Sequence, residues 1–325
     1  MIFDDAAPFN TELFSSLLDD LKSLRDTRTV DTHKKIIDIL IKSLVDVDQT
    51  DGRRAKKSAQ KAAIAIIHLD PQDEGYQNVA ALQDDFWHLM LDIGAQVPSA
   101  KNEERRFLFY VMQCIGMPGT GDKYTELTQD DSAASWRKSL ASLGPVVRDS
   151  LTDPTFKADE QRSYTLNQWV NLNSFVAAIV RVGLIPGIPF AIWSLRHALE
   201  TEHPSGPDAD AAVAVASDWM NKCASPLLAK ALLANEHPIG DGEKQILAAG
   251  ELFQGDPGLS LERWCFWRRR FGVLRGNVSS SAGQEIDNAL GAMNYVESEA
   301  YVARSSVVGV DAFFSRCYHL CGPYR

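Results

Sequence analysis

The chain has 325 residues, with 33 Lys and Arg against 43 Asp and Glu, a formal charge of −10. Its 45% apolar and 23% charged content excludes disorder as the main state and leaves enough chain for a real core. The acid excess argues against general nucleic-acid binding, which needs a basic footprint.

Helical periodicity runs through the sequence. Phe14, Leu17, Leu18 and Leu21 follow the helical period after Asn10, a candidate N-cap with Glu12 in the first turn. Ile36, Ile37, Leu40 and Leu44 mark a second helix from about 31. Further helices are predicted at about 53–69, 76–97, 101–115, 131–142 and 145–152. A central pair follows at about 164–182 and 189–201, then 208–234, 241–254, 260–272, 282–299 and 301–319. No alternating strand pattern and no fixed repeat stands out. The fold expected is therefore all-α: one bundle-like domain over 1–325, of about a dozen helices.

The longest apolar stretch, 175–193, contains Arg181, two glycines and two prolines. A membrane span needs about 20 apolar residues without such breaks. Two buried helices joined by a turn at 183–189 are expected instead. The opening MIFDDAAPFN is acidic and lacks the basic and apolar parts of a signal peptide. Of five cysteines, Cys317 and Cys321 stand one helical turn apart, with His319 on another face between them. The low cysteine density and the absence of CxxC point to reduced, structural thiols and a cytoplasmic setting.

Four places carry possible chemistry. On the fourth helix, Asp85, His88 and Asp92 share a face, with Asp84 beside them. Carboxylates and an imidazole at that spacing could hold a divalent cation, or form a solvated face. Asn173 lies in the apolar stripe of Trp169, Val176 and Val180, so it must be paired inside the protein or meet a ligand. Arg196 and Glu200 stand four apart beside Trp193 in a strongly apolar helix, where they could pair. Trp264, Trp267 and Phe271 form an aromatic stripe, followed by Arg268, Arg269 and Arg270, a possible anion site or the solvated end of a core helix. Gly116-Met-Pro-Gly119-Thr-Gly121 follows a helix rather than a strand, so it is neither a dinucleotide fingerprint nor a Walker motif. No cofactor is evident.

The runs WVNLNSFVAAI, AIWSLRHALE and LSLERWCFWRRRF, with SWRKSLASLGPVVRDS before them, resemble a fungal family labelled oxidoreductase-like, OpdG type. The likeness covers about 135–271. It implies a protein of filamentous fungi, whose relatives sit in some cases within secondary-metabolite gene clusters. The family has no agreed catalytic residues, so none is carried over.

Three functions are compatible with these readings. The first is an enzyme or accessory protein of secondary metabolism, with a small-molecule pocket between the central helices. Trp169, Asn173, Trp193, Arg196, Glu200 and Trp264 would line that pocket. The second is a noncanonical class I terpene-cyclase-like enzyme, in which Asp84 and Asp85 hold Mg2+ on a prenyl diphosphate. There His88 stands where the usual motif has a third acid. The third is a non-enzymatic helical scaffold for an unknown protein partner.

Overall fold

A computed structural model describes residues 11–45, 52–99, 102–116, 131–151, 164–234 and 239–305. Every regular element among them is a helix. The contacts divide the chain into two compact units, Met1–Pro186 and Gly187–Arg325.

The first unit contains α1 (Thr11–Thr27), α2 (Asp31–Val45), α3 (Gly52–Ile67), α4 (Val79–Gln96), α5 (Asn102–Gly116), α6 (Asp131–Ser150) and α7 (Leu166–Arg181). Helices α1, α2, α3 and α5 pack in succession, and α4 lies against α6 and α7. Asn78 starts α4 by accepting a hydrogen bond from the Ala81 N–H. Thr165 and Gln168 start α7 with a reciprocal capping box.

The apolar stripe of α4 buries Leu82, Phe86, Leu89 and Ile93. Phe86, Trp87 and Trp136 meet edge to face, with centroids 4.9 to 6.4 Å apart. Both indoles are satisfied: Trp87 donates to Ser139 Oγ and Trp136 to the Ile67 carbonyl. Gly94 lets Phe175 of α7 approach so closely that a Cβ there would lie 2.4 Å from the ring.

Helix α6 corrects the sequence expectation of two short helices. Pro145 lies inside one continuous helix. A proline removes one helical hydrogen bond. Burial of Trp136, Leu143, Val146 and Val147 on both sides of it keeps the two halves on one axis.

The turn at 183–189 forms as expected. Gly183 takes φ +78° just past α7, and the Leu184 N–H reaches back to the Ile179 carbonyl. That is the left-handed helix ending glycine permits most easily. Among the described residues no helix is long and apolar enough to cross a membrane.

The second unit contains α8 (Ile188–Leu199), α9 (Pro207–Leu232), α10 (Asp241–Ile246), α11 (Leu261–Leu274) and α12 (Ser280–Ser305). Helix α9 packs against α8, α11 and α12. Its buried residues include Ala209, Ala211, Ala212, Ala216 and Ala224, small side chains that let neighbours come close. The expected helix at 241–254 stops at Ile246. Beyond it the loop carbonyls of Leu247, Ala248 and Gly258 turn to a single arginine, Arg263. The expected helix at 282–299 starts at Ser280 and runs on to Ser305. The expectations for 306–319, for Asn10 and for Cys317 and Cys321 fall outside the described residues.

Candidate functional site

A dense buried polar group lies inside the second unit. Glu200 is the C-cap of α8, with φ −109° and ψ 7°. Its carboxylate is fully buried and accepts four hydrogen bonds. Oε1 takes Arg263 Nε at 2.6 Å and Trp267 Nε1 at 2.6 Å. Oε2 takes Arg263 Nη2 at 3.0 Å and the Gly250 N–H at 2.6 Å.

Ser260 caps α11 through the Arg263 N–H and so fixes where Arg263 leaves the helix. Arginine has five N–H donors, and Arg263 uses all of them. Besides Glu200, it donates to the Leu247, Gly258 and Ala248 carbonyls. Its guanidinium also lies 5.4 Å from the Trp267 ring centroid and 5.6 Å from that of Phe253. Main-chain bonds complete the clamp, for the Leu252 N–H donates to the Glu200 carbonyl.

This arrangement corrects the expected Arg196–Glu200 pair. A bidentate guanidinium from α11 holds Glu200, and Arg196 donates Nη1 to the Ala248 carbonyl at 3.1 Å. Burial opposes the charge on Arg196 first, repulsion from Arg263 second, while Glu200 favours it; the net effect lowers its pKa. Trp193, one turn before, donates its indole N–H to the Ile246 carbonyl at 2.7 Å. Trp264 is buried and donates to Glu297 at 2.8 Å.

The expected anion site at Arg268 to Arg270 is largely occupied by protein. Arg268 donates to Glu297 and Asn294. Arg270 donates to the Leu199 carbonyl and lies 3.6 Å from Glu202.

The other two expected pocket residues belong to the first unit. Asn173 is 2% exposed and donates Nδ2 to the Trp169 carbonyl, one turn back on α7. Trp169 donates its indole N–H to the Leu151 carbonyl at 3.4 Å. Nearby, the buried Arg105 donates to Ser174 Oγ and to the Gly94, Val97 and Asn171 carbonyls. It thereby satisfies the C-terminal end of α4.

The polar face of α4 is gripped at two levels. Asp85 accepts from Tyr76 and meets His33 Nε2 at 2.6 Å. Two turns on, Asp92 accepts from Arg28 at 3.1 Å and from Tyr164 at 2.6 Å. Burial raises the Asp85 carboxyl, but hydrogen bonds from His33 and Tyr76, with the charges of His33 and His88, outweigh it. The carboxyl therefore sits below its ordinary value of 3.8. Burial, then Asp85, pushes the Tyr76 hydroxyl up to about 12.

Asp84 is exposed, and it leaves the helix about 100° from Asp85, as successive residues do. Such a pair does not suit two carboxylates bridging one cation. Among the described residues, no group of three or more His, Cys, Asp or Glu side chains is placed to hold a metal ion.

Residues 87–271 match the family described as Protein of unknown function (DUF3632). The chain belongs to that family. Comparison with curated proteins and with solved structures finds no match. The DUF3632 segment contains Glu200, Arg263, Trp267, Asn173 and Arg105, and leaves out His33, Tyr76 and Asp85.

Sequence reasoning missed the role of Arg263 in this DUF3632 chain. A signal was available: Arg263 stands four residues before Trp267 and eight before Phe271, so it continues the aromatic stripe into the core. For Tyr76 and His33 the sequence holds no comparable signal, because their shared partner lies on another helix.

Proposed function

We propose that this protein is a helical binding scaffold, one that holds a partner protein and does not turn over a substrate. The single observation that supports this reading is the saturation of the Glu200 centre. Its carboxylate takes four N–H groups, and the opposing guanidinium spends all five of its own on protein. A catalytic acid or base needs a free position facing a reacting atom. A saturated buried network instead fixes two helices and a loop in one arrangement. Such rigidity suits a surface that must present fixed contacts.

The resemblance of 135–271 to OpdG-type proteins supports a setting in fungal secondary metabolism. There the scaffold would serve a biosynthetic enzyme. The test is recovery of the tagged, cross-linked chain from the cells that make it. A second protein in near-equal amount, enriched over an unrelated tagged helical protein, is the expected result. A recovered chain free of any stoichiometric protein, with a small molecule bound, overturns the reading.

One observation favours a second, catalytic reading. With Asp85 ionised, His33 donates to it from Nε2, and whenever the ring is neutral Nδ1 is its acceptor. A carboxylate that fixes an imidazole in this way is the arrangement of a general base. Nitrogen-15 spectra of histidine-labelled protein test it. Loss of the single-tautomer signature in Asp85→Asn, with turnover of an activated ester falling in parallel, supports the dyad. An ester rate unchanged by that substitution removes it.

A further inference from the structure

The Glu200 network leaves positive charge unbalanced. Two guanidiniums, Arg196 and Arg263, both donate to the Ala248 carbonyl and lie close enough to repel, with one carboxylate, Glu200, acting on both. Arg263 claims both oxygens of that carboxylate. Among the described residues no carboxylate comes within ion-pair distance of Arg196, whose one hydrogen bond is to a backbone carbonyl. Its remaining N–H groups are not sealed in the interior, since they are absent from the buried polar atoms that lack partners. Arg196 is thus half-buried, cationic and incompletely used.

Its surroundings are apolar and partly open. Trp193 lies one turn before it on the same face of α8, with its ring edge to face against Phe190, centroids 5.4 Å apart. The indole N–H ties Trp193 to the Ile246 carbonyl, and Ile246 is 46% exposed. A tryptophan and an arginine held in place by the same loop have the composition of a binding hot spot.

We propose that Trp193, Arg196 and Ile246 form a docking site for an acidic, hydrophobic peptide segment of a partner protein. The assignment rests on the scaffold reading and names the chemistry of its partner. A carboxylate of the peptide takes the free N–H groups of Arg196 in a charge-assisted fork, and an adjoining apolar side chain covers Trp193 and Ile246. Charge complementarity selects the occupant. The chain as a whole carries −10, so an acidic segment is repelled elsewhere and accepted where an arginine lacks its counterion. Repulsion from distant acids is screened beyond about 8 Å at physiological salt, whereas a half-buried contact is screened much less.

The test uses the full chain and two probes. One is an amidated five-residue peptide alternating leucine or phenylalanine with aspartate, with an asparagine twin as control. The other is 3-phenylpropanoate, which carries the same chemistry as a small acid. Binding is read from the Trp193 indole N–H resonance, assigned by its disappearance in Trp193→Phe. The peptide should shift that resonance saturably. Affinity should fall at least tenfold for the asparagine twin, and at least tenfold in Arg196→Gln, which retains a donor for the Ala248 carbonyl. No saturable shift, or equal affinity in Arg196→Gln, overturns the proposal. Tighter binding of 3-phenylpropanoate than of the peptide also overturns it, because the occupant is then a small acid. A partner recovered equally by wild type and Arg196→Gln defeats this docking site and leaves the scaffold reading standing. Recovery of no partner defeats the scaffold reading itself.

Discussion

Glu200 and Arg263 form an ion pair in which both side chains are fully buried and joined by two hydrogen bonds. Their residues lie 63 apart in sequence, so the pair ties the end of α8 to the start of α11. Replacing Arg263 by Met leaves the buried Glu200 carboxylate with only Trp267 and Gly250 as donors, and takes from the Gly258 carbonyl the donor it has in Arg263. Removing one member of such a pair costs about 3–5 kcal/mol. Urea unfolding of Arg263→Met should show a loss of that size. The double variant Glu200→Leu/Arg263→Met should lose less than the sum of the two single variants. A single-variant loss below about 1 kcal/mol would show that the pair is not structural.

Gly250 sits against the same carboxylate. Its N–H donates to Glu200 Oε2, and a Cβ placed there would lie 2.6 Å from Glu200 Cβ and 2.8 Å from the Glu200 carbonyl oxygen. Backbone cannot yield as a flexible side chain can. Overpacking of this kind costs about 1–3 kcal/mol. A lower thermal midpoint in Gly250→Ala is the expected outcome, with no comparable change in Gly242→Ala, where a Cβ meets nothing within 4 Å.

Asn173 separates the scaffold reading from a ligand site. It is buried and donates to the Trp169 carbonyl. Substitution by Ala should destabilise the protein by about 1–3 kcal/mol, the usual cost of leaving buried polar partners unmatched. Thermal unfolding checks this directly. A variant with unchanged stability would point instead to a residue kept for a ligand.

Asp85 predicts a pH dependence with a definite sign. Its folded pKa lies below the ordinary 3.8 because His33 and Tyr76 hold the ionised form against the opposing effect of burial. The stabilisation is therefore fully present above 3.8 and is lost as pH falls through the lower folded value. Denaturant midpoints measured from pH 6 downward should fall more steeply for wild type than for Asp85→Asn, most clearly below about pH 4. Parallel curves would remove Asp85 as a contributor.

Much of the helical order was legible because apolar residues recur at the helical period, and because Ser260, Pro189 and Gly183 punctuate it. Pro145 misled because a local rule met a stronger tertiary one: the residues around it are buried on one axis. The stretch after Ile246 misled for the opposite reason, since its carbonyls are drawn away from helical partners to Arg263. Asn173 was legible as a polar group in an apolar stripe that had to be satisfied. The partner of Glu200 was not legible, because Arg196 is the near choice along the helix. Choosing Arg263 requires knowing which helix ends face each other. The same holds for His33 and Tyr76, which reach Asp85 across separate elements.

The measurement that tests the scaffold reading most directly is the native mass of the tagged chain, isolated without denaturant from the cells that make it. The scaffold account predicts a complex with one further protein, and that complex should dissociate more readily in Arg196→Gln. The chain measured alone, with a small-molecule adduct that remains through isolation, would contradict it.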